Sequence, residues 1–82
     1  MAEVLFTRRA KRDLDRLDPS RRQRILLKIR GYAEDPLAYA RKLSDPRIGT
    51  FRWRIGDHRV IFDFEEETVI VLRIGDRKDI YS

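Results

Sequence analysis

Five arginines in the second half of the chain stand at spacings that can gather them on one surface: Arg52 and Arg54, then Arg59, then Arg73 and Arg77. A guanidinium is planar, permanently cationic and able to grip a phosphate through two parallel N–H bonds. Side chains alternate across a strand, so parity assigns them to faces. With Phe51, Trp53, Ile55, Val60, Phe62, Phe64, Ile70, Leu72 and Ile74 turned one way, the five arginines turn the other, among Ile61 and Val71. The same alternation also describes an ordinary solvent-facing sheet whose arginines pair with Asp63 and the glutamates. Arg77 lies past Gly75, where a bulge can shift the parity.

Composition narrows the chemistry. The chain has 82 residues, enough for one domain spanning 1–82. It has no Cys, so a disulfide framework, a zinc ribbon and a thiol nucleophile are excluded. One His leaves no multi-histidine metal site, and no metal or other cofactor is expected. No leader-like apolar segment opens the chain and no apolar run is long enough to span a bilayer, so a soluble, cytoplasmic protein without a membrane partner is expected. The net charge is +5, carried by 15 Arg and 4 Lys, which suits a polyanionic partner and equally suits a surface laced with ion pairs. Residues 1–47 carry 13 basic and 7 acidic side chains, whereas residues 48–82 carry 6 and 7. A basic site in the second half must therefore come from geometry and not from bulk charge.

The elements that would position these residues are legible as periodicities. Glu3–Phe6 reads as a strand, and Thr7 as the cap of a helix over about 8–17 with Ala10, Leu14 and Leu17 on its buried stripe. Asp18-Pro19 starts a second helix running to about Asp35, with Ile25, Leu26, Ile29, Tyr32 and Ala33 inward and Pro36 as its stop. Residues 36–49 read as a connection with one helical turn near 37–40. Strands follow over 50–55, 59–65 and 68–74, joined by a tight turn at Gly56-Asp57 and a solvated turn at Glu65–Glu67. Gly75-Asp76 is expected to break the last strand.

An ordered set of pieces carries a family resemblance over essentially the whole chain. They are Ala10-Lys11-Arg12-Asp13-Leu14, Leu17, Asp35-Pro36, Lys42-Leu43, the run from Gly49 to Val60, and the run from Ile74 to Tyr81. In this order they resemble the RelE branch of the RelE/ParE toxin superfamily. The resemblance implies an α+β fold, with two N-terminal helices on one face of a small, mainly antiparallel four-stranded sheet. It implies a toxin paired with a RelB-like antitoxin, and cleavage of mRNA in the ribosomal A site by metal-independent attack of the RNA's own 2′-hydroxyl. Operator DNA would be bound only through the antitoxin complex.

Carried over residue by residue, the resemblance gives catalytic positions Arg52, Arg54, Arg59, Arg77 and Tyr81 and leaves Arg73 as a bystander. The second-strand positions are often Lys in the family and are Arg here. A guanidinium stays protonated through the neutral range, so Arg52 and Arg54 are assigned to phosphate binding and charge stabilisation, not to proton transfer. Tyr81 remains to handle the 2′-hydroxyl, although a phenol is a weak base unless nearby cations favour its ionised form. The general acid has no assigned residue.

Other residues are weighed against plainer roles. His58, the one side chain that titrates near neutrality, has core parity at a turn and reads as a packing residue. Phe51 and Trp53 read as core and not as base-stacking platforms. Arg8, Arg9, Arg12, Arg16, Arg21, Arg22 and Arg24 form a basic helical surface, either solvated with i, i+4 acidic partners or docked on ribosomal RNA. Two other functions share the fold: a ParE-like inhibitor of DNA gyrase without nuclease activity, and an inactive module that only binds an antitoxin. A basic toxin would suit an acidic antitoxin, partly disordered, that folds on binding.

Overall fold

The computed structural model describes residues 2–78 and Ile80. Its elements are β1 (Glu3–Phe6), α1 (Arg8–Asp15), α2 (Pro19–Tyr32), β2 (Arg41–Lys42), β3 (Phe51–Ile55), β4 (His58–Glu65) and β5 (Thr68–Asp76). The strands form one sheet in the order β1-β5-β4-β3-β2. β1 lies parallel to β5 and every other pairing is antiparallel. Among the described residues no helix is long and apolar enough to cross a membrane.

Both helix starts form as their caps require. The Thr7 side chain accepts from the Ala10 N–H, and its hydroxyl donates to the Leu72 carbonyl, tying α1 to β5. Asp18 Oδ1 accepts from the Arg21 N–H at 2.8 Å, with Pro19 in the first helical position. Both helices end earlier than the periodicity suggests. Arg16 caps α1, and the Leu17 N–H reaches back three residues to Leu14. α2 stops at Tyr32, after which Glu34 and Asp35 bond three residues back to Gly31 and Tyr32. Gly31 weakens the last turn, and Pro36 disfavours helical backbone at Asp35.

The core lies between the helices and one sheet face. Ala10, Leu14, Ile25 and Ile29 pack on Trp53, Ile55, Val60, Phe62, Val69, Val71 and Ile74. Trp53 is fully buried, its ring centroid 4.0 Å from that of Phe62, and its Nε1–H donates to the Pro36 carbonyl at 2.9 Å. This is the core role expected of it.

Three expectations need correction. The sheet has five strands, because Arg41 and Lys42 pair with Arg52 and Phe51 inside the expected connection. A two-residue strand carries no period and so leaves no trace in the pattern. The last strand does not break at Gly75-Asp76; these residues pair with Arg59 and His58. The parity of that strand also changes partway. Ile61 pairs with Arg73 but Phe62 pairs with Val71, so Leu72 is the extra residue of a bulge. Val69 and Val71 therefore face the helices in place of Ile70 and Leu72, and Ile74 keeps its inward place.

The carboxylate of Asp13 meets the strand beside that bulge. β1 ends opposite Val71, which leaves the outer edge of β5 without a strand. Asp13 Oδ2 accepts the Ile74 N–H there at 2.9 Å, and Arg73 Nε lies 3.7 Å from the same oxygen. Asp13→Ala strands a buried donor and a half-buried cation, so a loss of about 2–4 kcal/mol is expected in urea titrations. The turn between β4 and β5 holds the opposite kind of strain. Glu66 and Glu67 both have positive φ, 49° and 63°, as a two-residue type I′ turn demands. Replacing the pair with Asn-Gly should gain about 1 kcal/mol, raising Tm by roughly 4–8 °C in a thermal melt.

Candidate functional site

The sheet face away from the helices carries the arginines in two cross-strand rows. In one, Arg54 on β3 lies opposite Arg59 on β4, and Arg59 lies opposite Gly75 on β5. In the other, Arg41, Arg52, Ile61 and Arg73 follow one another across β2, β3, β4 and β5. Arg52, Arg54, Arg59 and Arg77 together line one concavity of about 370 Å³. Four of the five expected site residues thus converge, and the fifth, Tyr81, lies outside the described residues.

Each arginine reaches the concavity by a different route. Arg52 and Arg54 follow from β3 parity, because Phe51, Trp53 and Ile55 are drawn to the core. Arg59 is only 6% exposed, and its Nη1 donates to the carbonyls of His58 at 3.2 Å and Gly56 at 3.4 Å. The hairpin turn holds this guanidinium. That turn has Gly56 at φ 59° in its first central position and Asp57 at negative φ, the type II′ form. Arg77 arrives on a turn after β5, its N–H bonded to the Asp57 carbonyl and the Ile80 N–H to the Asp76 carbonyl. Ile80 is buried over Gly75, where a Cβ would stand 3.4 Å from the isoleucine's own. Gly75 thus gives the turn room to lie on the strand.

The electrostatics are one-sided. Among the described residues no carboxylate forms an ion pair with Arg52, Arg54 or Arg77. Asp63, the acid that a merely solvated sheet would offer them, spends Oδ1 on the N–H and hydroxyl of Thr50, at 2.9 and 2.7 Å. Gly49 allows that approach: any Cβ there would meet Ile61 Cγ2 at 2.5 Å. Like charges placed directly opposite in a sheet destabilise it. Arg54→Thr should therefore raise thermal stability by about 0.2–1 kcal/mol, measured by calorimetry, while weakening any phosphate bound in the concavity.

The other expected residues lie elsewhere. Arg73 sits beside Asp13, outside the concavity. His58 is half-buried in a separate cleft with Arg21, Arg24, Ile25, Ile55, Asp57 and Asp76. The helix arginines belong to the layer on the far side of the sheet. Arg22 is a structural member of that layer: its Nε donates to the Leu14 carbonyl and its Nη2 to the Leu17 carbonyl, both at 3.0 Å, closing the end of α1. Arg9 and Arg21 each lie 3.8 Å from an aspartate. One residue on the cationic face escaped the sequence reading. Arg41 shares it with Arg52, and only the pairing of β2 reveals this.

The ParE toxin model, described as the toxin of the type II parDE toxin–antitoxin system, matches residues 4–81. The chain is 36% identical over 85 residues to Toxin RelG of Mycobacterium tuberculosis, covering 95% of this chain and 93% of RelG. It belongs to the RelE/ParE superfamily of type II toxins. The fold agrees. In the RelBE2 toxin–antitoxin complex of M. tuberculosis, one chain superposes with a TM-score of 0.81 at 30% identity, over 93% of this chain and 98% of that one. The isolated RelE toxin of Escherichia coli, at 20% identity, shares the fold with a TM-score of 0.75 over 99% of this chain and 92% of its own. RelE/ParE membership makes this a toxin of a type II system, with the arginine concavity on the sheet face its helices leave open.

Proposed function

We propose that this toxin is a ribosome-dependent endoribonuclease that cuts mRNA in the A site and thereby stops translation. The convergence of Arg52, Arg54, Arg59 and Arg77 in one concavity, with no carboxylate among the described residues paired to Arg52, Arg54 or Arg77, supports this reading. Such a cluster suits a reaction in which one phosphodiester gains negative charge. The RNA 2′-hydroxyl attacks the adjacent phosphorus and gives up its proton. The bond from phosphorus to the 5′-oxygen breaks, and the products are a 2′,3′-cyclic phosphate and a protonated 5′-hydroxyl.

The residues divide that work by how firmly they are held. Arg59, buried and gripped by turn carbonyls, is oriented before substrate arrives, which is the condition under which a cation lowers a barrier most. The exposed Arg54 and Arg77 and the half-buried Arg52 can close on the non-bridging oxygens. Guanidinium groups do not take the 2′-proton, so that task is assigned to Tyr81. The exposed arginines of the helices, Arg8, Arg9, Arg12, Arg16, Arg21 and Arg24, would dock on ribosomal RNA away from the cutting face. Arg22 is largely committed to the end of α1. The toxin acts in the cytoplasm, and a RelB-like antitoxin would neutralise it, as the antitoxin partner in the RelBE2 complex suggests.

The match to the ParE model favours one second reading, inhibition of DNA gyrase without RNA cleavage. Purified toxin incubated with programmed ribosomes separates the two. Cuts within the A-site codon are expected from wild type, and Arg77→Ala should lower kcat by about 10²–10³. Uncut mRNA together with blocked gyrase supercoiling would sink the nuclease reading.

A further inference from the structure

Arg41 stands directly opposite Arg52 on the outermost strand, so the two side chains share a face. It is exposed, and among the described residues it has no ion pair. Arg47, the next arginine along the chain, is instead held by both oxygens of Asp45 at 3.1 Å. A like-charged cross-strand pair, Arg41/Arg52, thus stands beside Arg54 on one face. Such a pair costs stability unless an anion lies between its members. From Arg54, Arg41 is displaced by one strand, about 4.8 Å, and by two residues along the strand, about 6.8 Å. That offset points away from the concavity, whose lining does not include Arg41, towards the open sheet edge.

We infer that Arg41, with Arg52, forms a second phosphate subsite that binds an RNA phosphodiester neighbouring the scissile one, so that the strand leaves the concavity across β3 towards β2. The inference rests on the nuclease reading. Arg41 is a binding residue and touches no reacting atom. Its loss should therefore appear in KM and not in kcat.

The test uses ribosomes programmed with mRNAs in which each phosphate flanking the cut is replaced, one at a time, by an uncharged methylphosphonate. With unmodified mRNA, Arg41→Ala should raise KM about fivefold to twentyfold, and Arg41→Lys should recover most of it. The slope of log KM against log salt should fall by roughly 0.7, the value for one phosphate contact on a single strand. At one flanking position the methylphosphonate should weaken wild type and leave Arg41→Ala unchanged. If Arg41→Ala keeps the wild-type KM, the subsite is overturned. A KM increase that adds independently of every methylphosphonate assigns Arg41 to ribosomal RNA and overturns it as well. Failure of wild type to cut any programmed ribosome overturns the nuclease reading and this subsite with it, a result distinct from the other two.

Discussion

The hydrogen bond from the Ile74 N–H to the Asp13 carboxylate decides how the last strand is read by the rest of the molecule. It takes over the edge of β5 where β1 stops, and it lies beside the extra residue at Leu72. Without that extra residue, an inward Val71 would be followed by an outward Ile74. Ile74 would then leave the core, and Gly75 would no longer share the open face with Arg59. The turn that carries Arg77 starts two residues later, so its placement follows the same change of parity.

From that constraint the two faces acquire different characters. The helix side is apolar and tightly stacked around Trp53 and Phe62. The other side holds a thin apolar floor, with Ile61 fully buried, and a rim of guanidinium groups. Arg59 bridges these characters, since its side chain is buried while its end lines the concavity. Burying a cation is costly unless its N–H groups find acceptors or charge partners, and the turn carbonyls of Gly56 and His58 accept from this one. The tight hairpin is therefore part of the site and not merely a link between strands.

Much of this was legible from residue patterns. Thr7 and Asp18 announced both helices, and the alternation through Phe51–Ile55 placed Trp53 inward and Arg52 and Arg54 outward. His58 fell on the helix side as its parity required. The failures share one physical origin: they depend on contacts between distant segments. Nothing local in Val69–Ile74 signals the bulge, and the carboxylate that meets the strand beside it belongs to Asp13, 61 residues before Ile74. Gly75 looked like a strand breaker because its reason for being glycine is Ile80 lying across it. Arg41 looked like a loop residue because a two-residue strand exists only through its partner. The role of Arg22 was hidden for the same reason: the carbonyls it satisfies belong to the preceding helix.

The shortness of β2 has a consequence for the molecule among its copies. A sheet edge presents unpaired backbone groups that another chain can extend, and long, uncharged edges invite such pairing. Here the edge on that side is two residues long and both are cations, Arg41 and Lys42. A second sheet approaching this edge would meet too few hydrogen bonds to hold it and two like charges to repel it. The two cations at this edge thus also work against its pairing with a second copy of the chain.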